Sequence, residues 1–292
     1  MYTHTAVIIV YYEQMNWFIF AAIAGLASNG FNITNRTALK DQGDSTAYAW
    51  WFEVIRSGFF LIVGFITKVI TISQSNILPL IYVSLAEMFS VYVFMKMHAL
   101  THLSLSSIIS RLRVIWTPIL ALFIVGEHLT RPEYMGIVAI FIGVAIVTSP
   151  KELKSDKGVI VALIFSFSSG LLSSVTKYAT QFTNTDTIIF TQGLIPILLF
   201  PIIMKDGAKR IVGSLKSRFP QIGLAGSFNI LSSYLLLQAY RFTDASKAVA
   251  VYQAMTVLAV LYGIFVLKEN NKVVSKIIGT IAVIIGVILT AG

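Results

Sequence analysis

The chain has 292 residues, 56% of them hydrophobic and 12% charged, with mean hydropathy +0.80 and a formal net charge of +9. An average soluble domain carries about 25% charged residues, and no soluble fold of this size has the polar shell to hide so much apolar surface, so the composition points to the bilayer. The absence of cysteine excludes disulfides, thiolate metal sites and Cys nucleophiles, while cations scattered through short loops, with no basic run of five, read as membrane-surface charge rather than a nucleic-acid face.

Along the chain, residues 5–12 are apolar but far short of the about 20 residues a spanning helix needs. They lack a basic n-region and a small-residue cleavage site, so they are a poor signal peptide. Residues 1–15 are expected to form a surface-lying N-terminal extension, with Met15 as an alternative start. Ten apolar runs follow, at 17–36, 47–67, 77–97, 104–125, 132–149, 158–177, 187–204, 221–240, 246–267 and 274–291. Each is near bilayer length, which predicts ten transmembrane helices. Strands are excluded because the runs are long, lack period-two alternation, and an open sheet edge cannot exist in lipid. The polar break at 205–220 is the longest and reads as a short amphipathic surface helix.

The chain repeats itself. Gly136-x2-Ala139-x3-Gly143-Val144 in the fifth run returns as Gly279-x2-Ala282-x3-Gly286-Val287 in the tenth. Glu127 and Glu269 end the preceding helices, and Arg36-x-Ala38 matches Lys177-x-Ala179. An offset this steady marks a duplication: a first five-helix repeat over 16–150 and a second over 157–292. Because five is odd, the second copy enters the membrane from the opposite side, which gives an inverted repeat. Small residues at i, i+3 and i+7 predict that Gly136, Gly143, Gly279 and Gly286 pack closely against another helix.

The stretch from Pro118 through an apolar run to Gly126-Glu127, followed by Gly136 and Gly143-Val144, resembles the drug/metabolite transporter superfamily, in particular ten-helix proteins with two EamA-type repeats. The second copy departs from this pattern, with Lys268-Glu269 in place of Gly-Glu and no proline in the ninth run. The resemblance covers about residues 16–292 and implies export or exchange of small metabolites through a central cavity between the halves, with the fifth and tenth helices peripheral. It also implies both termini inside. The charge count disagrees. The loops after the odd-numbered runs hold most of the loop cations, among them Lys151, Lys154, Lys157, Lys209 and Arg210, and the positive-inside rule then puts the termini outside.

Deep charges are costly in a membrane, so their positions are informative. Every Asp and His falls in a loop or at a helix end; Glu53, Arg56, Glu87, Arg111 and Arg113 are deep, all in the first repeat. Counted from one membrane side they occupy a single slab about 9–15 Å down. Glu53 and Arg56, three apart, are expected to form a structural ion pair. Arg111 and Arg113 lie about 200° apart around an ideal helix, so only one of them is expected to contact Glu87. Three cations against two anions leave one guanidinium over for a substrate anion, the bland alternative being that Arg111 snorkels to the interface. The candidate substrate-binding set is Glu87, Arg111, Arg113, Trp116, Asn29, Asn229, Tyr252 and Gln253. Ser28, Asn32, Gln192, Ser169 and Ser173 are further polar residues at comparable depth, and interhelical hydrogen bonding accounts for the serines.

The function class expected is a secondary transporter of small polar metabolites such as amino acids, probing two rivals: a multidrug or organic-cation exporter, and a channel or non-transporting membrane protein. No Walker A motif is present. No deep His or Asp exists to build a hydrolytic site, so an enzyme is not expected. Neither a cofactor nor a metal is expected. The expected partners are a small-molecule substrate and the lipid bilayer of the cell (inner) membrane, with no nucleic acid and a homodimer left open.

Overall fold

The computed structural model describes residues 2–39, 44–100, 110–148, 157–257 and 273–291. Among them every regular element is a helix and there are no strands. The helices are α1 (Tyr2–Leu39), α2 (Ser45–Ile66), α3 (Ile77–Leu100), α4 (Arg113–Ile124, preceded by a 3₁₀ turn Ser110–Leu112) and α5 (Arg131–Thr148). The second set is α6 (Lys157–Ala179), α7 (Thr185–Ile203, interrupted at Gly193), α8 (Gly207–Phe242), α9 (Ala245–Ala254) and α10 (Val273–Ala291). Six of the described helices are long and apolar enough to cross a membrane.

Two boundaries differ from the sequence expectation. Residues 2–15 continue α1 as helix rather than lying apart, since no Gly or Pro interrupts the chain before Gly25. Residues 207–217 join α8 across a kink at Arg218 (φ −134°, ψ 22°). Pro220 causes it, because its missing N–H leaves the helical ladder one bond short. Parts of the fourth and ninth runs, including Glu269, lie outside the described residues.

The packing obeys the duplication. α1 packs on α8 as α6 packs on α3; α2 on α8 as α7 on α3; α4 on α6 as α9 on α1. Shifting every helix number by five turns each pair into its mate. The pairs α2–α7, α4–α9 and α5–α10 map onto themselves, so they straddle the pseudo-two-fold axis. The α5–α10 pair shows its direction. A Cβ on Gly143 would lie 2.5 Å from the Gly279 carbonyl oxygen, and one on Gly286 would lie 2.6 Å from the Gly136 carbonyl oxygen. The early glycine of one helix meets the late glycine of the other, so the helices run antiparallel and the patch is complementary to its own copy. This is an inverted repeat.

Polar caps hold the ends. Gly126 has φ +77°, a left-handed turn that favours glycine, and it aims Glu127 at the start of α9. There the carboxylate accepts hydrogen bonds from the N–H groups of Ala245 (2.6 Å) and Ser246 (3.2 Å) and from the Ser246 hydroxyl (2.6 Å). The Gly-Glu pair of the first repeat thus caps a helix of the second. At the opposite face Asp44 caps α2 through the Ala47 N–H and accepts a two-pronged bond from Arg210 at 2.5 and 2.8 Å.

Two outcomes are expected. Gly143→Leu lowers stability by about 1–3 kcal/mol, read as thermal unfolding of purified protein, because backbone atoms of α10 stand where the side chain would go. Burial alone would raise the Asp44 carboxyl, but the Arg210 hydrogen bond and the Ala47 N–H outweigh it and hold it below its ordinary value. A depressed carboxylate contributes stability above its unfolded pKa and loses it as pH falls through the folded value. Acid unfolding of Asp44→Asn is therefore expected to show a weaker pH dependence than that of the native chain.

Candidate functional site

A cavity of ≈ 590 Å³ lies between the repeats. Its walls come from α1, α2, α3, α4 with its 3₁₀ turn, α6, α7, α8 and α9. Its lining runs from Met97 and Arg111, toward the loops that follow the odd-numbered helices, to Thr176 and Tyr240 near the opposite ends of α6 and α8. Hydrogen bonds close that opposite side. Asn184 of the second repeat donates to the Val69 carbonyl of the first (2.5 Å), while Lys177 ties α6 to the end of α8 within the second repeat, donating to the carbonyls of Tyr240 (2.5 Å) and Thr243 (2.8 Å).

One wall carries a charge cluster. Arg56 Nη2 donates to Glu53 Oε2 at 2.5 Å and to Glu87 Oε1 at 2.8 Å, and Gln192 Nε2 donates to Glu87 Oε2 at 2.9 Å. The side chains of Glu53, Arg56 and Glu87 are each at most 4% exposed. The expected pair Glu53–Arg56 is therefore one side of a triad reaching α3. The expected contact of Glu87 with an arginine of the fourth helix is absent. Equal depth put them level, but Arg56 lies closer, on α2, and takes the carboxylate. Glu53 sits behind the cavity lining, while Arg56, Glu87 and Gln192 face it.

The cluster sits against a broken helix. α7 is interrupted at Gly193, between Thr185–Gln192 and Leu194–Ile203. Ser84 of α3 bridges the break, its hydroxyl donating to the Gln192 carbonyl (3.2 Å) and accepting from the Ile195 N–H (3.0 Å). Backbone groups freed inside a bilayer need such partners. Glycine at 193 also makes room, since a Cβ there would collide with the Ser57 hydroxyl and lie 2.9 Å from Glu53 Oε2.

The facing wall carries the other two arginines. Arg111 Nη1 donates to Thr256 Oγ1 at 2.6 Å. Thr256 is tied to Asn29 (3.3 Å), whose amide donates to the Met255 carbonyl (3.2 Å). Arg113 donates through Nε and Nη2 to Ser173 Oγ (3.1 and 2.6 Å) and lies over the Tyr252 ring, 5.4 Å from its centroid. Tyr252 donates its hydroxyl to Ser28 (2.6 Å). The two guanidiniums take different partners: Arg113 reaches α6 and the Tyr252 ring of α9, while Arg111 reaches Thr256 just past the end of α9. Arg111 sits in the 3₁₀ turn rather than in an α-helix, so at 3.0 residues per turn the angle between the two is about 120° rather than about 160°. Among the described residues neither has a carboxylate at ion-pair distance.

Seven of the eight candidate residues line the cavity: Glu87, Arg111, Arg113, Asn29, Asn229, Tyr252 and Gln253. Trp116 does not. It packs against α6, its ring 5.4 Å from that of Phe167 and its Cβ 2.7 Å from where a Gly170 side chain would begin. Sequence reasoning passed over Gly193, Ser84 and Thr256. The signal for the first was available, since a glycine three residues before Pro196 inside an apolar run marks a discontinuous helix. No sequence signal singled out the other two.

Ser84→Ala removes the only group shown bridging the α7 break, leaving a buried carbonyl and N–H without that partner. Stability is expected to fall by about 1–3 kcal/mol, read by thermal unfolding; an unchanged midpoint would mean the break needs no bridge.

Comparison with known proteins places these features. One solved crystal structure superposes with a TM-score of 0.66, covering 96% of this chain and 95% of its own at 11% identity, a likeness of fold alone. Comparison with curated proteins found none that matches. The model of the EamA-like transporter family matches twice, over residues 15–149 and 156–292. The chain belongs to the EamA-like transporter family, and is an integral membrane transporter of the drug/metabolite type.

Proposed function

We propose that the chain is a secondary transporter of the cell (inner) membrane, exporting or exchanging small polar metabolites that bear a carboxylate, such as amino acids, by alternating access through the cavity between the repeats. One observation carries this reading: Arg111 and Arg113 both line the cavity and, among the described residues, hold only neutral partners, Thr256, Ser173 and the Tyr252 ring. A guanidinium within a bilayer is costly unless a partner compensates it, and a charge-assisted hydrogen bond to a substrate anion supplies such a partner. The amides of Asn229 and Gln253, on helices of the second repeat, offer neutral hydrogen bonds to the rest of the molecule. Export of organic cations is less well supported, because Arg56 already engages both deep carboxylates.

Counterflow in liposomes tests the reading, since only a carrier speeds uptake of labelled L-amino acids when unlabelled ones are preloaded. Arg111→Ala and Arg113→Ala are each expected to weaken apparent affinity about tenfold or more, the loss of a charge-assisted hydrogen bond being worth about 1.5–3 kcal/mol. Arg111→Lys keeps the charge but loses the planar fork, so it should fall well short of restoring affinity. Native rate and affinity in both alanine variants would make these arginines structural only.

A further inference from the structure

We propose that Glu53 and Glu87 hold one exchangeable proton between them, and that this proton couples the carrier to a proton gradient. The coupling rests on the transport reading above; the proton site does not.

The inference starts from the charge count of the buried triad. A single guanidinium nitrogen, Arg56 Nη2, serves two carboxylates at 2.5 and 2.8 Å. With both ionised the cluster carries one uncompensated negative charge in a site almost shut off from solvent. Burying such a charge costs several kcal/mol, and two carboxylates that share one site bind the first proton as a pair. No second cation among the described residues relieves it. From α3 the facing groups are Glu87 itself and the Ser84 hydroxyl, and from α7 they are Gln192 and the backbone at Gly193. α8 packs Gly226 on Ile55, and α1 sets Phe31 against Phe52. Arg111 and Arg113 stand across the cavity with other partners.

A second observation points to the proton. Glu53 Oε1 and Gln192 Oε1 are both buried without a hydrogen-bond partner. An amide is a donor at one end and an acceptor at the other. With Glu87 ionised, Gln192 donates to it, as here. With the proton on Glu87 Oε2, the amide turns over and its orphaned Oε1 accepts the new O–H. Gln192 thereby fits both protonation states without leaving its place. The proton has a route, because Glu87 and Gln192 line the cavity and Glu53 lies behind them. It also has a lever, because Gln192 is the last residue before the break in α7. Gaining the proton neutralises the triad; losing it tightens the grip of α3 on α2 and α7.

Infrared spectroscopy of the purified full chain tests the site without a substrate. The native protein is expected to show, near neutral pH, one carboxylic C=O band that moves on ¹³C-glutamate labelling and vanishes in alkaline buffer. The band should be missing in both Glu53→Gln and Glu87→Gln, where a lone carboxylate faces Arg56 one to one. Should those variants fail to fold, Gln192→Leu decides, since removing the amide should shift the band. Absence of a protonated glutamate in the native chain near neutral pH overturns the proposal, as does a band that survives both glutamate variants or ignores Gln192→Leu. In liposomes, amino-acid flux indifferent to an imposed pH gradient overturns the coupling and leaves the substrate reading intact. No flux, with the band present, refutes the substrate reading and leaves the proton site standing.

Discussion

Hydrocarbon solvates neither a charge nor a free backbone amide, and the centre of this molecule is arranged around that constraint. Arg56 stays buried because two carboxylates reach it. Those carboxylates stay because Arg56 and Gln192 donate to them. The break in α7 stays because Ser84 takes over its freed carbonyl and N–H. These groups depend on one another: the break leaves room for Glu53, and Glu87 and Ser84 both come from α3, three residues apart and so on one helix face. The interior of a soluble protein would admit water to such defects. Here the side chains themselves must close the set, which is why one small region draws on α2, α3 and α7 together.

The pseudo-two-fold axis shows where the halves have diverged. At an offset near 142, that of Glu127 and Glu269, Glu87 falls on Asn229 and Arg111 on Gln253. At the offset of 141 that relates the first helices, Ser28 falls on Ser169 and Asn32 on Ser173. All eight line the cavity. Duplication supplied the same places twice, and the first repeat came to hold the charges while the second kept neutral amides and hydroxyls. A cavity so divided has a polar direction across it. It offers a charged end and a hydrogen-bonding end to whatever enters, although the backbone around it is nearly symmetric.

The fold was legible because bilayer length, apolar content and a repeated glycine pattern are one-dimensional signals. That the four glycines pack closely on another helix was readable from spacing alone, since close approach of two helix backbones admits little else; that α5 and α10 are each other's partner was not. The slab of deep charges was legible too, because depth is a count along a helix. Azimuth was not. Level with Glu87 stood Arg56 and Arg113, with Arg111 about two residues shallower, and only the rotation of α2 against α3 decides that Arg56 reaches it. The assumed α-helical turn at Arg111 failed for the same reason, because a change from 3.6 to 3.0 residues per turn leaves no mark in composition. Trp116 illustrates a further limit: an aromatic residue near a site serves packing as readily as binding, and here Gly170 gives it a socket in α6.

The transport cycle proposed above asks some contacts to break and others to hold, and the two kinds differ physically. On the closed half, Asn184 and Glu127 tie the repeats through hydrogen bonds to backbone groups near the ends of helices. Water can replace each of these when the ends part, so the net cost per bond is only about 0.5–1.5 kcal/mol. The α5–α10 seam offers no such exchange, because its glycines put backbone against backbone and nothing polar would enter as they separated. Opening the closed half is therefore cheapest as a movement of the inner helices about a seam that stays shut. The helix pair on the axis with the closest backbone approach is then the pivot, and the charged triad, which joins α3 to the broken α7, rides on the part that moves.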